Sequence, residues 1–202
     1  MARFRRPPFD LARIAGKLRP LIQSAPRGTQ LEKVFGTEVA PLQLAETIEI
    51  WHLESDRAMD VRRLGEGALR AGRWHHQITA HGRPVAHATS IERNADAEVS
   101  SVTHCDALAR AVDAAIHLID QDRRLDDAVE ARFLSVPGFH LDALWLVGPG
   151  VGGIVVLPGA TADAAEERIG IFDLTMIGEE NFLSRLKSAG PVRGFTIMSP
   201  RA

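Results

Sequence analysis

Residues 131–157 read ARFLSVPGFHLDALWLVGPGVGGIVVL and decide the fold. Three apolar runs are separated by Pro137-Gly138 and by the glycine-rich segment 148–152, and both breaks are short. Because a short turn joins antiparallel neighbours, the pattern predicts three consecutive antiparallel strands, at Ala131–Val136, Phe139–Val147 and Gly153–Leu157. The middle strand is apolar on both faces, which is typical of a strand at the centre of a covered sheet.

An upstream segment predicts a β-hairpin over Trp74–Ile91, with its turn at residues 81–83 (His-Gly-Arg). A turn formed by the first two of these residues places His76 opposite His87. A turn one residue later places Ile78 there instead. The sequence leaves both registers open.

The remaining periodic segments complete the predicted architecture. Thr103 and Asp106 have the spacing of a capping box and start a predicted helix, Thr103–Asp120, with apolar residues at helical spacing. Further strands are predicted at Thr47–Leu53, Ile169–Leu174 and Phe195–Met198, and further helices at Phe9–Ile22, Ser55–Leu69, 161–167 and Glu179–Ser188.

Strands in runs, with few helices between them, indicate an α+β fold. We expect a mainly antiparallel sheet of five to seven strands with a long helix, Thr103–Asp120, packed across one face. This layout resembles that of cystatin-like folds, in which a helix lies over a curved meander of strands. We expect residues 1–28 to form a basic N-terminal arm or helix, and residues 29–202 to form a single α+β domain.

Composition narrows the function classes. The chain has 202 residues, a formal net charge of −2 and one cysteine. Residues 1–28 hold seven basic side chains and one acidic side chain, about +6, which leaves about −8 on the rest. So mild an overall balance predicts no nucleic-acid partner. The single cysteine favours the reducing cytoplasm, and the absence of a long apolar run predicts no transmembrane segment.

The cysteine suggests one catalytic hypothesis. Cys105 stands near the start of a predicted helix, where the helix dipole favours a thiolate, and His140 begins the next long strand, HLDALWLVG. This order resembles that of papain-like cysteine peptidases. The resemblance implies a hydrolase or transferase with Cys105 as nucleophile, His140 as base and Asp142 orienting it. The alternative is that Cys105 is the first apolar position of the helix.

Four of the eight histidines fall within 13 residues, at 75, 76, 81 and 87. A histidine-rich metal site is therefore a second alternative. It needs His76 and His87 to pair across the hairpin and a third ligand such as Glu49, His52 or His140. His75 and His76 point to opposite faces of a strand, so they do not share one ion. We expect no metal and no cofactor.

The leading hypothesis is a non-catalytic binding or protein-interaction domain, with a homodimer as its possible assembly. Alternation along Thr47–Leu53 places Glu49 and Trp51 on one face, as one wall of a cleft. The predicted ligand-binding residues are Glu49, Trp51, Trp74, His76 and His87. The ligand is expected to be a small molecule or a protein partner.

Overall fold

The computed structural model describes residues 3–23, 43–94, 96–103, 106–125, 128–158 and 174–191. The strands are β1 (Arg3–Phe4), β2 (Gln43–His52), β3 (Leu69–Ala80), β4 (Arg83–Arg93), β5 (Asp96–Thr103), β6 (Glu130–Val136), β7 (Leu141–Gly148), β8 (Val151–Leu157) and β9 (Met176–Gly178). The helices are α1 (Leu11–Gln23), α2 (Ser55–Asp60), α3 (Leu64–Gly67), α4 (Asp106–Gln121) and α5 (Glu179–Ala189). A 3₁₀ turn, Pro137–Phe139, joins β6 to β7.

All the described strands belong to one mixed sheet. Eight follow the order β5-β4-β3-β2-β6-β7-β8-β9, and β1 pairs with β6 beside this path. The β2–β6 and β1–β6 pairs are parallel and the other pairs are antiparallel. The α+β class and the mainly antiparallel sheet are confirmed. The predicted count of five to seven strands is wrong, because the described residues alone form nine.

The central strand β7 is buried on both sides, as its sequence predicts. Leu141, Ala143 and Trp145 join a core cluster that also holds side chains of α2, α3 and α5. Leu144 and Leu146 join a second cluster, which holds side chains of α4. We call the side that carries α2, α3 and α5 the first face of the sheet, and the side that carries α4 the second face. The strand begins at Leu141 rather than Phe139, because Phe139 belongs to the 3₁₀ turn.

Helices cover both faces of the sheet rather than one. On the second face, α4 spans 16 residues and packs Val112, Ala115 and Ile119 onto the sheet. On the first face, α1 packs Ile14 and Leu18 against side chains of β3 and β4. The predicted helix Thr103–Asp120 corresponds to α4, whose described range is Asp106–Gln121, and the other four described helices lie on the opposite face. No helix in the described ranges is long and apolar enough to cross a membrane.

The predicted hairpin is confirmed, but neither expected register is correct. Its turn is His81-Gly82, and both residues have positive φ, 51° and 72°, as in the turns that match strand twist. A register shift then lies next to Pro84. Proline cannot donate a ladder hydrogen bond, so this is a natural place for a bulge. As a result His87 lies opposite Gln77, and His76 lies opposite Ala88.

Other boundaries also differ from the predictions. The predicted helix Ser55–Leu69 is two short helices, α2 and α3, and Leu69 begins β3. Strand β5 occupies a segment for which no strand is predicted. The predicted elements at 161–167, Ile169–Leu174 and Phe195–Met198 lie wholly or almost wholly outside the described residues.

Candidate functional site

A buried carboxylate organises the first face at β2. The side chain of Glu49 is only 1% exposed, yet it contacts two arginines and an indole. Arg5 Nη1 lies 3.3 Å from Glu49 Oε2, Arg70 donates from Nε to Glu49 Oε1, and Trp51 Nε1 donates to Oε2 at 3.2 Å. We call these four residues the Glu49 cluster. They come from two strands, β2 and β3, and from the N-terminal segment, so the cluster exists only in the folded sheet.

The cluster continues onto β4 through Arg70. Its Nη2 donates to Glu92 Oε2 at 2.9 Å, and the same carboxylate oxygen accepts the indole N–H of Trp74 at 3.2 Å. Trp74 itself is fully buried under α1, where its ring meets the edge of Phe9. Three of the predicted ligand-binding residues, Glu49, Trp51 and Trp74, are thus linked by one chain of hydrogen bonds.

A stack of aromatic and guanidinium groups lies beside the Glu49 cluster. The guanidinium carbon of Arg132 lies 4.2 Å from the ring centroid of Trp51 and 5.0 Å from that of Trp145. The two indoles meet edge to face at 5.7 Å, and Glu130 Oε1 accepts from Arg132 Nε at 2.6 Å. We call Trp51, Arg132 and Trp145 the Arg132 stack. Trp51 belongs to both groups and joins them.

In both ion pairs of the Glu49 cluster, the carboxylate is buried and the arginine is partly exposed. Glu49 is 1% exposed, whereas the side chains of Arg5 and Arg70 are 48% and 37% exposed. A buried carboxylate needs such partners, because leaving its charge unpaired costs several kcal/mol. The carboxylate therefore anchors two guanidinium groups whose outer sides face solvent. Together with the half-buried Trp51, these arginines present guanidinium and indole groups to solvent.

His76 lies on the same face but deep in the interior. Its Nδ1 lies 3.1 Å from Thr47 Oγ1 and its Nε2 lies 2.7 Å from Ser90 Oγ, and the residue has no exposed surface. Burial lowers the pKa of His76 to about 4. The imidazole is therefore neutral at pH 7 and uses both ring nitrogens inside the fold.

His87 lies on the second face, away from His76. Its ring stacks on that of His75 with centroids 5.1 Å apart, and His75 stacks in turn on Phe133 at 4.7 Å. Burial lowers the pKa of His75 well below its usual value, and the neighbouring His87 and His76 lower it further. The pairing of His76 with His87 that a metal site requires is not formed. Across the described ranges no three metal-ligating side chains cluster.

Two of the three predicted catalytic residues lie within the described part of the chain. Cys105 lies outside the described residues. His140 is exposed, with φ of 50°, just after the 3₁₀ turn. The pKa of Asp142 is raised by burial, although a hydrogen bond with Ser135 opposes this effect.

The strand registers bear on the catalytic hypothesis. Thr103 on β5 pairs with His87 on β4, and His87 pairs with Gln77 on β3. Gln77 lies between the residues of β3 that pair with Leu44 and Thr47, near the beginning of β2. His140 directly precedes Leu141, which pairs with Val136 on β6. Val136 lies one residue beyond the last pair between β2 and β6, His52–Ser135. These positions differ by roughly eight residues along the strands, about 25 Å at the usual rise. Because Cys105 lies outside the described residues, the dyad of Cys105 and His140 stays a prediction.

Sequence reasoning missed the arginines. Arg70 is 21 residues from Glu49 and Arg132 is 81 residues from Trp51, so only the strand order brings them together. One signal was available, because Arg132 alternates with Leu134 and Val136 on one face of a predicted strand. An arginine on an apolar face of a central strand needs a partner on that face.

The comparisons with known proteins add no assignment to this geometry. No family model matches the chain, and neither the curated proteins nor the solved structures include a match to it.

Proposed function

We propose that this protein is a non-catalytic interaction module that binds an acidic segment of a partner protein. The binding surface consists of the exposed sides of Arg5, Arg70, Trp51 and Arg132 on the first face. The observation that carries the proposal is the orientation of the ion pairs, with Glu49 inside and its arginines outside. Such a surface offers guanidinium donors to carboxylates, which take them as bidentate partners.

The composition of this surface suits protein recognition. Tryptophan and arginine are the residues most often found at energetic hot spots of interfaces. Here Arg132 is held by stacking against two indoles and by Glu130, so it loses little freedom when a partner binds. Preorganisation of this kind favours affinity without a large conformational change.

The predicted ligand-binding residues divide into two groups in this proposal. Glu49 and Trp51 belong to the surface, and Trp74 supports it by holding Glu92 beside Arg70. His76 and His87 are buried and serve the interior of the sheet.

The proposal includes residence in the reducing cytoplasm and assembly as a homodimer. The first is supported by the single cysteine in 202 residues. The second rests on the general prevalence of twofold homodimers among soluble oligomers. Sedimentation analysis of the purified protein checks the second, and a monomer at all concentrations removes it.

Selection from a peptide display library tests the interaction. Wild-type protein is the target, and Arg132→Ala protein is used to remove peptides that bind elsewhere. We expect the selected peptides to be rich in Asp and Glu. Their affinity should fall roughly tenfold or more in Arg132→Ala, because a hot-spot contact is lost. Arg132→Lys, which keeps the charge but not the planar stack, should give an intermediate loss.

A matched control is Arg83→Ala, since Arg83 is an exposed arginine at the hairpin turn. It should leave peptide affinity unchanged. Thermal unfolding of each variant separates a loss of fold from a loss of binding. Selected peptides without acidic enrichment, or with equal affinity for wild type and Arg132→Ala, would overturn the proposal.

A further inference from the structure

A separate cleft of about 1150 Å³ opens on the first face between α5, the α2–α3 connection and the β7–β8 turn. We call it the α5 cleft. It shares no residue with the Glu49 cluster or the Arg132 stack. Its volume slightly exceeds the usual range for small-molecule sites, so it has room for an organic ligand rather than a bare ion.

Cationic side chains from two elements converge on the α5 cleft. Arg62 and Arg63 come from the α2–α3 connection, and Lys187 comes from the last turn of α5. Lys187 Nζ donates to the backbone carbonyl of Val61 at 2.7 Å, which holds the two elements together. Glu66 accepts from the backbone N–H groups of Arg62 and Arg63, at 3.1 and 3.4 Å, and does not line the cleft.

Another wall of the α5 cleft carries only one side chain, that of Val151. It is formed by the glycine-rich turn, including Gly148, Gly150 and Gly152. Gly150 has φ of 70°, a conformation that favours glycine. A Cβ atom on Gly152 would lie 3.3 Å from Glu179 Oε2, so glycine also lets that carboxylate approach the sheet. A ligand here meets main-chain atoms directly.

The remaining polar side chains that line the cleft are hydroxyls and carboxylates, and Leu183 adds an apolar contact. Ser184 and Ser188 contribute hydroxyls, and Glu180 is exposed at the cleft. The carboxylate of Glu179 accepts the backbone N–H of Leu64, so part of its charge is already compensated. No aromatic ring is among the described residues that line the cleft. These groups suit a hydroxyl-rich ligand and offer no platform for stacking a flat ring.

We propose that the α5 cleft binds a phosphorylated, hydroxyl-rich small molecule, such as a sugar phosphate. Arg62, Arg63 and Lys187 hold the phosphate group, because guanidinium groups bind phosphate oxygens in bidentate fashion and lysine adds a point charge. Glu180, Ser184 and Ser188 exchange hydrogen bonds with the ligand hydroxyls. The site is independent of the proposed interaction surface, because it uses different residues.

Calorimetric titration with three probes tests this proposal: glucose 6-phosphate, glucose and inorganic phosphate. The sugar phosphate should bind most tightly, because only it engages both groups of residues. Arg62→Gln/Arg63→Gln should weaken its binding by roughly tenfold or more, as expected when charge-assisted hydrogen bonds are removed. Both side chains are exposed, so we expect the variant to fold.

Arg83→Gln/Arg93→Gln is the matched control, with the same charge change on exposed positions at the ends of β4. It should bind glucose 6-phosphate as the wild type does. Equal weakening in both double variants would indicate a general charge effect and overturn the proposal. No binding of glucose 6-phosphate at millimolar concentration would also overturn it, as would equal affinity for phosphate alone.

Discussion

At the residue scale, the chemistry of each polar side chain follows from its neighbours on the sheet. Alternation along β2 was enough to predict that Glu49 and Trp51 share a face. It could not supply Arg5 or Arg70, because their contacts with Glu49 span 44 and 21 residues and depend on strand order. Alternation therefore predicts that Glu49 and Trp51 lie together, but not which arginines contact Glu49.

His76 predicts a loss of stability in acid. Its pKa is about 4 in the fold, against about 6.5 in an unfolded chain. Between these values the unfolded state binds a proton that the folded state excludes, so the free energy of unfolding falls as the pH drops from 6.5 towards 4. The full contribution of this residue is about 3 kcal/mol. It is present above pH 6.5 and lost below pH 4.

Urea unfolding at pH 7.5 and 4.5 measures this effect. His76→Gln removes the titrating group, so its stability should change less between the two pH values than that of the wild type, by about 2–3 kcal/mol. His117→Gln removes an exposed imidazole from α4 and serves as the control. An unchanged pH dependence in His76→Gln would contradict the assignment.

At the element scale, burial decided which strands could be recognised. Strand β7 was evident because both of its faces are apolar, whereas β5 was not, because it forms an edge of the sheet and most of its residues stay partly exposed. The hairpin was also evident, yet its register was not. The bulge beside Pro84 moves every later pair by one position, and the alternation of side chains along the two strands does not reveal it.

Two glycines give opposite predictions at this scale. A Cβ atom on Gly138 would lie 1.6 Å from Ser55 Oγ and 2.9 Å from Ser55 Cβ, so the 3₁₀ turn packs on α2 only because the residue is glycine. Gly138→Ala should lower the free energy of unfolding by about 1–3 kcal/mol, the usual cost of overpacking. Nothing lies within 4 Å of a Cβ atom on Gly16 in α1. Gly16→Ala should therefore stabilise the protein by about 0.5–1 kcal/mol.

Denaturant unfolding of both glycine variants against the wild type checks the pair. Since the chemical change is the same, any difference in sign comes from the surroundings. Two shifts of the same sign would show that the packing of the 3₁₀ turn against α2 is not as described.

At the scale of the whole molecule, the N-terminal helix is part of the core. Ile14 and Leu18 are 0% and 2% exposed and pack against Trp74 and Ile78, whereas Leu21 on the same helix is 48% exposed. Ile14→Ala should cost about 2–5 kcal/mol, as for other large buried side chains. Leu21→Ala should change stability by no more than about 0.5 kcal/mol. Thermal or denaturant unfolding measures both, and a neutral Ile14→Ala would mean that α1 does not dock on the sheet.

The parallel contact between β2 and β6 has a mechanical consequence. Only three residue pairs, Ile50–Phe133, Trp51–Leu134 and His52–Ser135, join these two strands. On either side of them lies a group of antiparallel strands that are consecutive in sequence, β2 to β5 and β6 to β9. A force that pulled the two groups apart would have to break these three pairs. Helix α4 holds the two groups of strands together, because Val112 and Ala115 pack in one core cluster with Ile48 of β2 and Leu144 of β7.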